Sequence, residues 1–263
     1  MVNDNRTADG RLPVLECVDL AFSYPNSKTV FKDISLNVYK DELVAVVGPT
    51  GTGKSTLLRL IANLIPPVHG KVFLNGKEIS WPTPDISLIH QSIATFPWMT
   101  AMENVELSLV NTKLSEEEIR RRAESALSLV GLEKEKDNYP KEMSGGMRQR
   151  IAIARALAAR PEVMLLDEPF VHLDEFTAQG LRDEIHRLVF NPKTFLKSVI
   201  LVSHNLNEVI QLADRVYIVK GSPAKIIKEV RIDMKRPRRM HDPEFFKYIS
   251  MFMLELGLKE HRV

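Results

Sequence analysis

Residues 48–56 of this chain read Gly48-Pro49-Thr50-Gly51-Thr52-Gly53-Lys54-Ser55-Thr56. This stretch matches the pattern G-x-x-x-x-G-K-[ST], in which a glycine-rich loop binds the phosphates of a nucleotide. The preceding run, 43–47, is apolar and β-branched and predicts a buried strand. The spacing of apolar residues over 57–62 predicts a helix, which ends before Pro66-Pro67. The motif therefore has the strand–loop–helix context that phosphate binding requires.

Each fixed position of this loop has a chemical use. Its glycines permit tight turns and leave room for a phosphate against backbone N–H groups. The N-terminus of the following helix adds unpaired N–H donors at the positive end of the helix dipole. Lys54 supplies a charge for the β- and γ-phosphates, and Ser55 offers a hydroxyl to Mg²⁺. We predict a nucleotide–Mg²⁺ site, against the alternative of a glycine-rich turn without a ligand.

Composition describes an ordinary globular protein. The 263 residues are 44% hydrophobic and carry a net charge of +2, which gives no reason to expect nucleic-acid binding. The single cysteine, Cys17, excludes an intrachain disulfide and is expected in a buried strand. No apolar run approaches the roughly 18 residues of a transmembrane helix. The N-terminus does not resemble a signal peptide, so we expect a cytosolic chain that reaches membranes through a partner.

Periodicity divides the chain into three kinds of structure. Alternating patterns over 18–24 and 34–38, with 72–74 before the turn Asn75-Gly76, predict β-hairpins in the N-terminal third. A capping box at Ser115 and helical spacing up to Gly131 predict a helix. A second helix is predicted over about 147–159. Apolar strands then alternate with helices, which indicates a parallel sheet; the strands are predicted at 163–166, 199–202 and 216–219, and the helices near 175–190 and 205–213.

Polar residues stand at the ends of three apolar stretches. Asp167 and Glu168 follow 163–166, and the alternation of strand side chains points Glu168 the other way, toward a water. His204 follows 199–203, at the carboxyl end of a strand where open α/β sheets bind ligands. The alternatives are a solvated turn or helix N-cap for the two acids, and a helix cap or a satisfied polar residue for the histidine. Gln91, after the stretch 86–89, is uninformative by itself.

A second glycine motif decides the family. Met143-Ser144-Gly145-Gly146-Met147-Arg148-Gln149-Arg150 resembles the Leu-Ser-Gly-Gly-Gln signature of ATP-binding cassette (ABC) ATPases. A serine hydroxyl, two glycine N–H groups and a helix N-terminus make it a second anion site. The alternative is a glycine-containing helix cap. In ABC proteins the signature of one subunit closes on the ATP held by the other, so the resemblance implies a head-to-tail dimer of this chain.

The resemblance covers about residues 13–258 and assigns roles by position. Tyr24 resembles the aromatic residue that stacks on adenine, with a buried strand tyrosine as the alternative. The remaining motifs match in the family's order: the phosphate loop Gly48 to Thr56, the Q-loop Gln91, the signature Ser144, Gly145 and Gly146, the Walker B residues Asp167 and Glu168, the D-loop Leu173-Asp174, and the H-loop His204. By this likeness Ser55, Gln91 and Asp167 hold Mg²⁺, Glu168 polarises the attacking water, Lys54 stabilises charge, and His204 fixes the γ-phosphate.

The chain departs from the family's pattern in three places: the signature, the D-loop and the residue after the H-loop histidine. Met143 and Met147 replace Leu and Gln in the signature, which leaves the backbone donors intact. The D-loop, 170–174, is bulkier than its usual Phe-Gly-Ala-Leu-Asp form. Asn205 replaces a common acid after the histidine.

The resemblance also implies a fold. It is α/β, with a P-loop (RecA-like) parallel-sheet core, an N-terminal antiparallel β subdomain and an inserted helical subdomain. We predict four segments: a tail over 1–12, the core with its β subdomain over 13–91 and 160–225, the helical signature subdomain over 92–159, and a C-terminal extension over 226–263.

The implied partners are a second copy of the chain, integral-membrane permease subunits and, indirectly, a solute-binding protein, with no nucleic acid. The expected location is peripheral, on the cytoplasmic face of the inner membrane. The loop 95–99, which contains Trp98, matches the region that grips the permease, with packing inside the helical insert as the alternative. Residues 97–105 and the ending from Arg236 resemble the nitrate/sulfonate/taurine importers. The alternatives are a non-transport ABC ATPase and, leaving the signature unexplained, a phosphate-loop kinase or GTPase.

Overall fold

The computed structural model describes residues 11–25, 28–90, 95–171, 173–191 and 194–258. The chain divides into two compact units. Unit 1 comprises residues 1–83 and 197–263, and unit 2 comprises residues 84–196. In chain order the strands and α-helices are β1 (Leu15–Ser23), β2 (Thr29–Val38), β3 (Glu42–Val47), α1 (Lys54–Ile61), β4 (His69–Leu74), β5 (Lys77–Ile79), β6 (Ile86–Ile89), α2 (Ala101–Glu106), α3 (Glu116–Leu129), α4 (Gly145–Ala158), β7 (Val163–Asp167), α5 (Glu175–Phe190), β8 (Ser198–Val202), α6 (Leu206–Leu212), β9 (Arg215–Gly221), β10 (Ala224–Arg231) and α7 (Pro243–Leu256).

Unit 1 is built on strands in the order β5-β4-β1-β2-β10-β9-β3-β8. β3 runs parallel to β8 on one side and to β9 on the other. The N-terminal strands instead pair antiparallel, β1 with both β2 and β4, and β4 with β5. The predicted hairpin turn is confirmed, because Asn75 and Gly76 both have positive φ, 48° and 75°. The α/β class, with a parallel core and an N-terminal antiparallel region, is confirmed.

β3 explains why the phosphate loop begins where it does. Residues 43–47 are buried, so this strand is covered on both faces and needs the continuous apolar run that the sequence has. The loop follows it directly, and α1 begins at Lys54. Leu57, Leu58 and Ile61 hold α1 against the core without exposure. The loop is therefore fixed at both ends by buried elements.

Unit 2 holds the helices of the signature region. α2, α3 and α4 pack on one another, and β6 pairs parallel with β7 in the register Ile86↔Val163. Ser115 caps α3 as predicted, accepting from the backbone N–H of Glu118, and Gly131 follows the helix at φ 69°. The reciprocal half of the predicted capping box is wrong. The Glu118 carboxylate accepts hydrogen bonds from Arg121 and Arg122, which withdraws it from the helix end.

The C-terminal region differs most from the prediction. The sequence pattern missed β10, whose residues are mostly exposed or half-buried and so form no apolar run. The basic run 235–239 has the composition of a solvated tail, but Arg238 within it is buried. Its guanidinium donates to the carbonyls of Met234, Ile232, Ile210 and Ala213, the last two at the end of α6. Burial lowers the pKa of Arg238 to about 10.

None of the helices in the described residues is long and apolar enough to cross a membrane. The subdomain boundaries predicted above, at residues 12, 91, 159 and 225, stay a prediction.

Candidate functional site

The phosphate loop is held by the side chain of its own lysine. Lys54 is buried, and its Nζ donates to the carbonyl oxygens of Gly48, at 2.8 Å, and Pro49, at 3.1 Å. The Thr52 hydroxyl also donates to the Pro49 carbonyl, at 2.8 Å. These bonds engage the carbonyl oxygens of Gly48 and Pro49 with side chains of the loop itself. A charged ammonium within a loop of backbone donors is an anion-binding arrangement.

Two glycines of the loop are required by their surroundings. A Cβ on Gly48 would lie 2.4 Å from the carbonyl oxygen of Val219, on β9. A Cβ on Gly53 would lie 2.5 Å from Val30 and 2.8 Å from Phe31, and Gly53 has φ 86°. That left-handed conformation makes Gly53 the residue from which α1 starts. At these two positions glycine is therefore needed for close packing against β9 and β2, as well as for leaving room for a ligand.

Tyr24 stands beside the loop with its ring accessible. It follows β1 and is 40% exposed, which excludes the alternative of a buried strand tyrosine. Its hydroxyl shares a 3.0 Å hydrogen bond with the Thr56 hydroxyl, and Phe22 packs edge-on against its ring at 4.8 Å. The structure therefore brings Tyr24 to the phosphate loop and orients a partly open aromatic face there.

His204 lies just past β8 and is exposed. The helix-cap alternative is wrong for it, because the cap of α6 is Asn205, whose side chain accepts from the N–H of Asn207 at 3.0 Å. Ser203 and Glu208 brace this turn through a buried 2.6 Å hydrogen bond. The Asn at 205, a departure from the family's pattern, thus performs the cap itself.

In unit 2, Asp167 and Glu168 occupy different environments. Asp167 is the last residue of β7 and is buried, with 5% of its surface exposed. Glu168 is half-buried with φ 48°, so the chain turns sharply after the strand. The expectation that strand alternation orients Glu168 is therefore wrong, since the extended conformation ends at Asp167.

The signature motif opens α4. Ser144 is exposed and caps the helix, accepting from the N–H of Met147 at 3.2 Å. Gly146 is buried against α5, where an added Cβ would lie 2.1 Å from the Cγ2 methyl of Thr177. Met143 is buried, and Arg148 donates to its carbonyl. The motif is a helix cap, as the alternative had it, and its use as an anion site stays a prediction.

Asp174 is the N-cap of α5. Its carboxylate accepts from the backbone N–H of Thr177 at 3.0 Å and from the Thr177 hydroxyl at 2.7 Å. The hydroxyl bond from Thr177, reinforced by the backbone bond, lowers the pKa of Asp174. Thr177 thus touches both the D-loop aspartate and the signature glycine, a role that no sequence motif indicated. Its position three residues after an Asp was the available signal.

The predicted Mg²⁺ ligands are only partly placed. Ser55 lies in α1 and Asp167 in β7, while Gln91 lies outside the described residues. Among the residues that the structure describes, no group of three or more His, Cys, Asp or Glu is arranged to hold a metal. Ser55 and Asp167 supply one hydroxyl oxygen and one carboxylate. So small a donor set fits Mg²⁺, which is bound in nucleotide sites by one or two protein oxygens together with substrate phosphates.

A groove in unit 2 was not anticipated from the sequence. It has a volume of about 340 Å³ and lies between β6, the segment after α2, and α4. Arg155 and His90 line it together with small and apolar residues. Burial lowers the pKa of Arg155. On the α4 side, the groove is left open by small side chains, which belong to Ala152 and Ala156 of the helix and to Ala159 at its C-terminus.

Comparison with known proteins places this geometry in a family. A profile of the ABC transporter family matches residues 31–171. CmpD, the bicarbonate transport ATP-binding protein of Synechococcus elongatus, is 39% identical over 89% of this chain and 86% of its own length. SsuB, the aliphatic sulfonates import ATP-binding protein of Bacillus licheniformis, is 39% identical over 86% of both chains. NrtD, the nitrate import ATP-binding protein of Synechococcus elongatus, is 37% identical over 88% of this chain and 86% of its own.

Solved structures agree. The ATP-binding cassette MJ0796, in a dimeric post-hydrolysis state bound to ADP and Pi, matches with a TM-score of 0.71 and 29% identity, over 84% of this chain and 100% of that one. The cbiO1 protein of Clostridium perfringens, part of the ABC transporter complex cbiONQ, matches with a TM-score of 0.77 and 25% identity, over 93% and 97%. The chain belongs to the ABC transporter family, as an ATP-binding subunit with the ATPase activity of that family. It resembles the bicarbonate, nitrate and sulfonate branch.

Proposed function

We propose that this chain is the ATP-hydrolysing subunit of an importer for a small solute, of the kind that its nitrate, bicarbonate and sulfonate relatives serve. One observation carries the mechanism. The phosphate loop of unit 1 and the signature helix of unit 2 each present backbone N–H donors suited to an anion. A single chain has no evident use for two anion-binding elements. If two chains close head-to-tail, the signature of each copy meets the ATP that the phosphate loop of the other copy holds.

The chemical roles follow from the charges. Lys54 and the loop N–H groups bind and neutralise the β- and γ-phosphates, and Tyr24 stacks on the base. Glu168 accepts the proton of the attacking water, and His204 donates to the γ-phosphate. Ser144, Gly145 and Gly146 of the second copy complete the site, with Asp174 at its edge. Electrostatic stabilisation and positioning supply the catalysis, as in phosphoryl transfer generally.

Ser55, Asp167 and Gln91 are the residues that would hold Mg²⁺, which supplies charge neutralisation at the β- and γ-phosphate oxygens. The buried carboxylate of Asp167 and the hydroxyl of Ser55 are hard oxygen donors, the type that Mg²⁺ prefers.

Two variants test the hydrolytic roles. We expect Lys54→Ala to abolish ATP hydrolysis, because the loop loses its only fixed positive charge. We expect Glu168→Gln to bind ATP and accumulate as a nucleotide-bound dimer in size-exclusion chromatography. Full turnover by Glu168→Gln would remove Glu168 from the mechanism while leaving the nucleotide site intact.

The permease is proposed to dock at the groove of unit 2 and at Trp98. Trp98 is 69% exposed and lies 5.5 Å from the ring of Phe96, centre to centre. Asn104 fixes the turn that carries it, since its amide donates to the carbonyls of Phe96 and Met99. An exposed tryptophan on a hydrogen-bonded turn and a groove lined in part by apolar residues, both in unit 2, suit an amphipathic helix of a membrane subunit.

A matched pair of variants tests this contact. Trp98→Ala is expected to keep its ATPase activity but to be lost from membranes that contain the co-expressed permease. Trp81, which is 81% exposed in unit 1, gives the control Trp81→Ala, expected to be recovered normally. Recovery of both variants equally would reject the docking site. A chain that never associates with any permease or its solute-binding protein would favour the second candidate, a non-transport ABC ATPase.

A further inference from the structure

A small cleft in unit 2, whose lining includes none of the signature residues, gathers arginines. Its volume is about 80 Å³, and its lining includes Arg122, Ser125, Arg160, Thr194 and Phe195. The cleft lies between α3, the end of α4 and the segment that precedes β8. None of these residues has a part in the ATPase mechanism.

The charges around the cleft are unbalanced. Glu118 accepts from Arg121 through one carboxylate oxygen and from Arg122 Nε, at 3.0 Å, through the other. The Arg160 guanidinium lies 4.7 Å above the ring of Phe195, and no carboxylate among the described residues forms an ion pair with it. Desolvation, followed by repulsion from Arg122, lowers the pKa of Arg160. Glu118 therefore pairs with two of the three guanidinium groups, and the third, that of Arg160, has no carboxylate partner among the described residues.

The arginines are also held in place. The aromatic face under Arg160 and the carboxylate beside Arg122 each restrict a long side chain before any ligand arrives. Such a restraint lowers the entropic cost of binding. The volume suits a small ion, because pockets for nucleotide-sized ligands run to about 300 Å³ and above.

We propose that this cleft is a binding site for a small oxyanion, held by the guanidinium groups of Arg122 and Arg160. Planar guanidinium forks match the oxygens of sulfate, phosphate or nitrate and form charge-assisted hydrogen bonds with them. A bound anion corrects the excess of positive charge. The site is independent of the nucleotide site and of the transported solute.

The test is a calorimetric titration of inorganic sulfate into the full chain saturated with ADP, because the phosphate loop itself binds oxyanions. We expect one saturable site in the native chain. Arg160→Gln and Arg122→Gln are each expected to weaken binding at least tenfold, and Arg160→Lys less, since it keeps the charge and loses the fork. The control is Arg120→Gln, on the same helix but with a side chain 69% exposed and paired with Glu124 at 3.9 Å.

Two results would overturn the proposal. One is the lack of any sulfate binding to the ADP-saturated native chain. The other is an equal loss in Arg120→Gln and Arg160→Gln, which would assign the effect to general surface charge. Phe195→Leu keeps the proposal testable if the arginine variants misfold, because it retains both arginines and removes only the ring that restrains Arg160. It is expected to weaken sulfate binding several-fold while the native melting temperature is kept, and unchanged affinity in it would also count against the site.

Discussion

The contact between Gly146 and Thr177 allows a prediction with a built-in rescue. In Gly146→Ala, the new Cβ would lie 2.1 Å from Thr177 Cγ2, whereas carbon atoms in contact sit about 3.5–4.0 Å apart. Thr177 cannot simply rotate, because its hydroxyl and N–H both bond Asp174. Overpacking of this kind costs about 1–3 kcal/mol. For a chain of this size, that corresponds to a fall in melting temperature of roughly 2–6 °C.

The second substitution Thr177→Ser removes only the offending methyl group. The hydroxyl that bonds Asp174 stays, and the next nearest atom, the Cβ of residue 177, would be an ordinary 3.5 Å from the alanine. We expect the double variant to recover most of the melting temperature, measured by calorimetry, and most of the ATPase activity. Thr177→Ser alone is the control. A double variant that stays as unstable and inactive as Gly146→Ala would refute the packing argument and place the effect of Cβ at the bound nucleotide.

Three further predictions concern Tyr24, Arg238 and Asp174. Tyr24→Leu should raise the KM for ATP roughly 5- to 100-fold through lost base stacking. Tyr24→Phe keeps the ring and loses the bond to Thr56, so its KM should stay within a few-fold in the same steady-state assay. Arg238→Met should lower stability by about 3 kcal/mol or more, since it leaves buried carbonyls without a donor; urea denaturation within 1 kcal/mol of the native value would contradict this. The lowered pKa of Asp174 stabilises the fold above the unfolded value of about 3.9 and is lost as pH falls below it. The acid limb of the melting temperature should therefore be shallower in Asp174→Asn, and identical limbs would reject the cap's role.

Local signals explain most of what the sequence predicted. The phosphate loop, the strand before it and the Asn75-Gly76 turn are set by glycine, apolar runs and β-branching over a few residues, and the structure agrees with each. The α5 and α6 helices were predicted within two residues of their bounds, and each follows a residue type that favours the cap position, Asp174 and Asn205.

What the sequence missed depends on contacts between distant residues. Arg238 looks like any member of a basic run, and its burial is decided by carbonyls of α6 that lie 25 and 28 residues earlier. Thr177 has no motif, yet it joins the signature glycine to the D-loop aspartate. The arginine cleft combines residues from three segments. Glu168 illustrates a different failure, since alternation along a strand says nothing once the chain leaves the extended conformation.

If each ATP is hydrolysed between two copies of this chain, two variants that are inactive for different reasons should regain activity when they are mixed. Lys54→Ala lacks a working phosphate loop, and Ser144→Arg blocks the signature at an exposed position, at a cap cost of about 1 kcal/mol. Each alone should be inactive, but half of the randomly mixed dimers contain one intact composite site. With independent sites, an equimolar mixture should recover roughly a quarter of the native ATPase activity. A mixture as inactive as its components, with mixed dimers confirmed by differential tagging, would contradict the account.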